Sequence, residues 1–491
     1  MTDGAPAWVR DAVFYQVFPD RFAASARVPK PGPLEPWDAP PTIHGYKGGD
    51  LLGLAERLEE LVDLGITAIY LNPIFTAASN HRYNAYDYFA VDPLLGGEAA
   101  FRELLDAAHG RGIRIVLDGV FNHVGRGWWP FNHVLEAGPA SPYRDWFFLD
   151  QGVLDGHERL IAYGDGAPRG YRAWWGSPGL PKLRVDHPEV RAHLMSVAEH
   201  WIRFGIDGWR LDVPQDIEDP TFWPEFRRRV RAINPEAYLL GEIWEAAADW
   251  VAGDRFDAVM NYPLGIAILG FVGAGAIDQA VIERQSNYSR ELRAIDGPGF
   301  AAALERLARV YPPDVAAVQL NLIGSHDTPR AVTVMGGEAR RLRLAAVLQL
   351  TLPGAPSIYY GDELAMAGTA DPGCRGAFPP AGATLGDEAA ATRACVRALV
   401  HARRAHAGLR LGTTTVLATG ERWVVLARQA GPGRAIVAVN AGEGPIGVDL
   451  VPGTASGLAR VDVPGLAGGS ISADGLSLDL EPWGVVVLAG E

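Results

Sequence analysis

Eight short apolar runs, rich in β-branched and aromatic residues, recur along the chain as far as Glu363, and longer stretches of helical period separate them. The runs are VFYQVFPDRF (13–22), ITAIYLNPI (66–74), IRIVLDGVFNH (113–123), IDGWRLDV (206–213), AYLLGEIW (237–244), FDAVMNYPL (256–264), VAAVQLNLIGSHD (315–327) and APSIYYGDE (355–363). Intervening segments such as LAERLEELVDLG and AAFRELLDAAHGRG end on glycine, as helices often do. Eight strand–helix units in series predict an α/β fold, a (β/α)8 TIM barrel.

Two segments break this rhythm. Residues 124–188, rich in Trp, Gly and Pro, are too long for an ordinary loop and predict a subdomain inserted after the third strand. From about 405 the helical period fades into short alternating runs, RWVVLARQ and RAIVAVNA among them, which predict a C-terminal antiparallel β-sandwich. The expected organisation is barrel (1–123), insert (124–188), barrel (189–404) and sandwich (405–491).

Composition narrows the partners. The net charge of −14 disfavours nucleic acid and anionic membranes and suits a neutral ligand. The basic run RRRVR (227–231) reads as the solvated face of a helix. No window is apolar enough to span a membrane, and the N-terminal residues carry no secretory pattern. Two cysteines, Cys374 and Cys395, make neither a disulfide framework nor a zinc site. A reduced, cytoplasmic protein without cofactor is the expectation.

Within GWRLDVP (208–214), strand alternation places Trp209, Leu211 and Val213 on the face toward the helices, and Arg210 and Asp212 toward the barrel mouth. Barrel enzymes do their chemistry at the C-terminal ends of strands. A guanidinium beside a carboxylate lowers its pKa and keeps it ionised, as a nucleophile must be. Further polar groups end neighbouring strands: Asp118, Asn122 and His123 in VLDGVFNH, Glu242 in LLGEIW, His326 and Asp327 in LIGSHD. The Ser-His-Asp order of SHD is not a protease triad, because consecutive strand residues alternate faces.

DGVFNH, GWRLDVP, GEIW and IGSHD resemble, in order, the four short conserved regions of the α-amylase family of glycoside hydrolases. LPKLR (180–184) is similar to the MPKLN signature of the neopullulanase and cyclomaltodextrinase branch, and SNHRYNAYDYFAVDP and DPGCRGAFP also resemble that branch. The resemblance implies a retaining hydrolase of α-1,4 bonds in maltooligosaccharides, cyclodextrins or pullulan, with a transglycosylase or α-glucosidase on the same site as the alternative. It implies Asp212 as nucleophile, Glu242 as acid/base and Asp327 as transition-state stabiliser, with Arg210 positioning the nucleophile. It further implies His123 and His326 on sugar hydroxyls, Tyr83 stacked under the sugar, and Asp371 and Arg375 on the next glucose. Trp244 offers a second flat face.

The chain also departs from the branch. Pro214, Gln215 and Asp216 stand where the branch has Ala-Asn-Glu, Arg184 replaces the asparagine of MPKLN, and Asn84 replaces an aspartate. The calcium-binding loop of relatives reads AASARVPK here, a poor set of oxygen ligands, so no metal site is expected. The first strand begins near Val13, so the extra N-terminal β-domain of the branch, which pairs protomers, is expected to be missing and the protein monomeric.

Overall fold

The computed structural model describes residues 4–164 and 166–490. Eight parallel strands form one sheet: β1 (Phe14–Val17), β2 (Ala68–Leu71), β3 (Arg114–Gly119), β4 (Gly208–Leu211), β5 (Tyr238–Gly241), β6 (Ala258–Val259), β7 (Leu320–Asn321) and β8 (Ala355–Tyr359). Their spatial order is β6-β5-β4-β3-β2-β1-β8-β7. A parallel bridge from Met260 to Leu320 joins the two edges and closes the ring. Each of the eight apolar runs contains one strand.

The two-residue period of the strands divides the apolar core. Phe14, Ala68, Tyr70, Val116, Tyr238 and Leu240 fill the barrel interior. Their neighbours Tyr15, Ile69, Ile115, Trp209, Leu211 and Leu239 pack outward with the helices. Trp209 and Leu211 thus lie as alternation requires. Val213 does not: β4 ends at Leu211, and Val213 takes a left-handed conformation (φ 35°) and lines the central cleft.

Residues 124–188 hold the helix Trp129–Ala137 and a set of isolated antiparallel bridges. The His123–Lys182 bridge and the Leu183 N–H on the Asn122 carbonyl (3.0 Å) tie the end of this segment back to the chain leaving β3, and Phe147–Leu183 bridges within it. Buried Trp128, Phe131, Phe147 and Tyr171 give it an aromatic core. Beyond Ala405, a five-stranded antiparallel sheet faces a three-stranded one. Val425, Ile436 and Leu488 from the first meet Leu478 and Leu480 from the second, as in a β-sandwich.

The RRRVR run lies on the helix Phe222–Ile233, but it is not simply solvated. Arg227 and Arg231 reach under the barrel to the fully buried Asp257, at 2.8 and 2.7 Å. Asp257 also accepts the Leu239 N–H at 2.8 Å, which clamps the start of β5 to the chain entering β6. Alternation of charge along the sequence cannot show this, because the partner carboxylate lies on another element. Asp257→Asn should leave two guanidinium groups without their countercharge, a loss of about 3–5 kcal/mol. Calorimetry is expected to show a melting temperature several degrees lower, and an unchanged one would remove Asp257 from this role.

Candidate active site

The strand ends on the C-terminal side of the barrel surround a cleft of about 530 Å³. At its floor Arg210, on β4, is completely buried. Its Nη1 lies 2.9 and 3.1 Å from the two Asp118 oxygens and 3.0 Å from Asp212 Oδ1. Its Nη2 lies 2.8 Å from Glu242 Oε1. One guanidinium therefore touches three carboxylates from the ends of β3, β4 and β5. The left-handed turn at Val213 aims its N–H at Glu242 Oε2 (3.1 Å), so the backbone after Asp212 also fixes Glu242.

The free site differs electrostatically from the simple pair expected. Burial, and then the negative charge of Glu242, push the Asp212 pKa well above the usual carboxylate range, against the pull of Arg210. The reason is that Arg210 divides one positive charge among three acids in a dry floor. Burial, reinforced by Glu242, likewise pushes Asp327 up to about 7. Two like charges held this closely retain a proton.

The surrounding polar groups are neutral. Burial pulls His123 down to about 3 and His326 well below its ordinary value. Gln16 Nε2 donates to His326 Nδ1 (2.8 Å), which leaves the proton on Nε2, 2.6 Å from the Tyr83 hydroxyl and 3.1 Å from Asp327 Oδ2. Tyr83 and Tyr70 both donate to Asp118 Oδ2 at 2.6 Å, and burial keeps both phenols protonated. Asn72 Nδ2 donates to Tyr83 (2.9 Å). His123 Nε2 is buried without a hydrogen-bond partner among the described residues.

On the other wall Arg375 holds Asp371 (3.0 Å) and approaches Asp327 (3.4 Å). Trp244 lines the cleft with one face covered by Tyr262, at 3.6 Å between ring centres. The structure thus gathers Asp212, Glu242, Asp327, Tyr83, His123, His326, Asp371 and Arg375 around one cleft, with Arg210 beneath it. Reading the sequence missed Gln16, Asn72 and Tyr70, which orient His326 and Asp118, and His81, Trp174 and Trp175 in the cleft lining. A polar residue late in an apolar strand, as Gln16 is, was the available signal. The SHD residues lie in a turn beyond β7, not on a strand, so His326 and Asp327 do touch, and the buried Ser325 hydroxyl accepts the Asp327 N–H (3.2 Å).

In the AASARVPK loop the Lys30 ammonium lies 3.0 Å from Asp50 and donates to the Leu94 carbonyl (2.8 Å). Ser25 donates its hydroxyl to Glu56 (2.6 Å). The chain's own cation therefore balances Asp50 there, and no cluster of three metal-ligating side chains occurs among the described residues. No described helix is long and apolar enough to cross a membrane.

A closed parallel barrel carries paired carboxylates and hydrogen-bond donors over its C-terminal mouth, an arrangement that glycoside hydrolysis can use. The chain belongs to the α-amylase family, since residues 16–407 match the model of the alpha amylase catalytic domain. It is 39% identical to a cyclomaltodextrinase of Geobacillus thermopakistaniensis over 99% of this chain and 78% of that one. It is 43% identical to neopullulanase 2 of Thermoactinomyces vulgaris over 75% of this chain and 59% of that one. The solved structure of a Nostoc punctiforme debranching enzyme superposes with a TM-score of 0.87 at 40% identity, covering 100% of both chains.

Two measurements probe the site. Asp327 binds its proton more tightly folded than unfolded, so stability falls as pH rises from about 4 through 7. Asp327→Asn should be inactive yet melt higher than wild type at pH 8, by on the order of 1–2 kcal/mol since cleft water screens the group, and the gap should close toward pH 5. Exhaustive chelation should leave activity and melting temperature nearly unchanged, and a large loss restored by calcium would show a metal site outside the AASARVPK loop.

Proposed function

We propose that the chain is a retaining α-glucan hydrolase that cleaves α-1,4-glucosidic bonds of maltooligosaccharides, cyclodextrins or pullulan. The observation that carries this reading is the single buried Arg210 joining Asp212 and Glu242 under a cleft that also holds Asp327. In this mechanism the Asp212 carboxylate attacks the anomeric carbon while Glu242 protonates the glycosidic oxygen, and the carbon–oxygen bond breaks. Glu242 then takes a proton from water, the water oxygen attacks the same carbon, and Asp212 leaves as carboxylate. Arg210 holds Asp212 for attack, and Asp327 hydrogen-bonds the sugar as positive charge develops at its anomeric carbon.

The neutral histidines suit a neutral substrate. The unpartnered Nε2 of His123 and the protonated Nε2 of His326 bind sugar hydroxyls without adding charge, Tyr83 packs under the ring, and Asp371 with Arg375 holds the next glucose. Relatives named cyclomaltodextrinase and neopullulanase support this substrate class, and the domain division at 123, 188 and 404 is the working organisation.

Asp212→Asn should abolish turnover of maltooligosaccharides by at least about 10³-fold without loss of fold. Proton NMR during early wild-type turnover should show the α-anomer first. An initial β signal, or wild-type activity in the Asn variant, would refute double displacement on Asp212. Glu242→Gln should cost natural glucans about 10²–10⁴-fold and spare substrates whose leaving group needs no proton.

A further inference from the structure

Trp175 is the most exposed large apolar side chain among the described residues, at 82%. Its backbone is left-handed (φ 50°, ψ 24°), a conformation that tryptophan rarely adopts, and Gly176 after it is left-handed too (φ 66°). Exposing an indole and straining its backbone both oppose folding. The indole is nevertheless firmly placed. It stacks on Trp174 (5.0 Å between centres, 11° between planes), and Trp174 stacks on His123 (4.9 Å, 17°). Trp174 Nε1–H donates to Asp216 Oδ2 (2.8 Å). A ladder of three flat rings therefore climbs from the cleft floor to solvent, and both tryptophans line the cleft.

The ladder's position indicates which part of a substrate meets it. Asp216 belongs to the Pro214–Asp216 turn that directly follows Asp212, and Val213 in the same turn donates to Glu242. Glu242 is the group that protonates the leaving oxygen under the proposed mechanism. Asp371 and Arg375, which the family resemblance implies on the next glucose toward the non-reducing end, come from a different loop. Sugar rings present a flat face of C–H groups that packs on indole much as an aromatic partner does. Resting on the hydrolase reading above, we propose that the outer face of Trp175 is a stacking platform for a glucosyl unit on the leaving-group side of the scissile bond. Trp175 is then a specificity residue: it selects substrates with several units beyond the cleaved bond and holds sugar acceptors.

The test compares Trp175→Ala, Trp175→Phe and Trp175→Gly with wild type on maltohexaose and on α-maltosyl fluoride, whose departing fluoride occupies no sugar subsite. Trp175→Ala should lose about tenfold in kcat/KM on maltohexaose, mainly through KM, while Trp175→Phe keeps most of it. Turnover of α-maltosyl fluoride should fall far less. Trp175→Gly should lose activity like the Ala variant yet melt no lower than wild type, because glycine accepts a positive φ. Unchanged maltohexaose kinetics in Trp175→Ala, or equal losses on both substrates, would overturn the platform. A wild-type chain inert toward both substrates would overturn the hydrolase reading and this one with it.

Discussion

The guanidinium of Arg210 is the contact on which the site depends. It is buried beneath three acids, and no side chain other than arginine could offer planar donors to Asp118, Asp212 and Glu242 together. A single positive charge cannot offset three negative ones where water is excluded, so the cluster keeps a proton. Neutral donors complete the balance: the hydroxyls of Tyr70 and Tyr83 share Asp118 with Arg210, whose guanidinium also reaches the other two acids. Catalysis by acid and nucleophile needs one protonated and one ionised carboxyl, and in the free site burial and the shortage of positive charge act first on Asp212, whose pKa they raise.

The barrel makes such a floor possible because its strands are parallel and end on one rim. That part of the architecture was legible in the residues, since each apolar run carries one strand and the two-residue period separates Arg210 from Trp209 and Leu211. The period is informative only while the strand lasts. It fails at Val213 and at Ser325–Asp327, where the chain has already turned, and side-chain direction there follows backbone angles that no alternation rule encodes.

Burial of charge was the other blind spot. Arg227 and Arg231 look like surface residues by type and spacing, yet both are drawn inward by Asp257 on the chain entering β6. The site residues were readable because four ordered motifs resemble a known family. Gln16 and Asn72 were not, because an isolated polar residue at a strand end is indistinguishable from a cap until its partner is located. Their importance rests on a chain of hydrogen bonds, Gln16 to His326 to Tyr83 to Asp118, whose members come from the ends of β1, β7 and β3 and from the loop after β2.

Two of the few non-glycine residues with positive φ, Val213 and Trp175, sit on the cleft wall. Each such conformation costs of order 1–3 kcal/mol. At Val213 the return is visible in the free protein, an N–H directed at Glu242. At Trp175 the free protein shows no return, only an indole held in water. The barrel core, closed and packed on both faces of every strand, is what lets the molecule tolerate these local losses together with an acid cluster short of positive charge. Stability is thus concentrated in the layers below the rim, and the rim is left free to hold geometry that only a bound sugar completes.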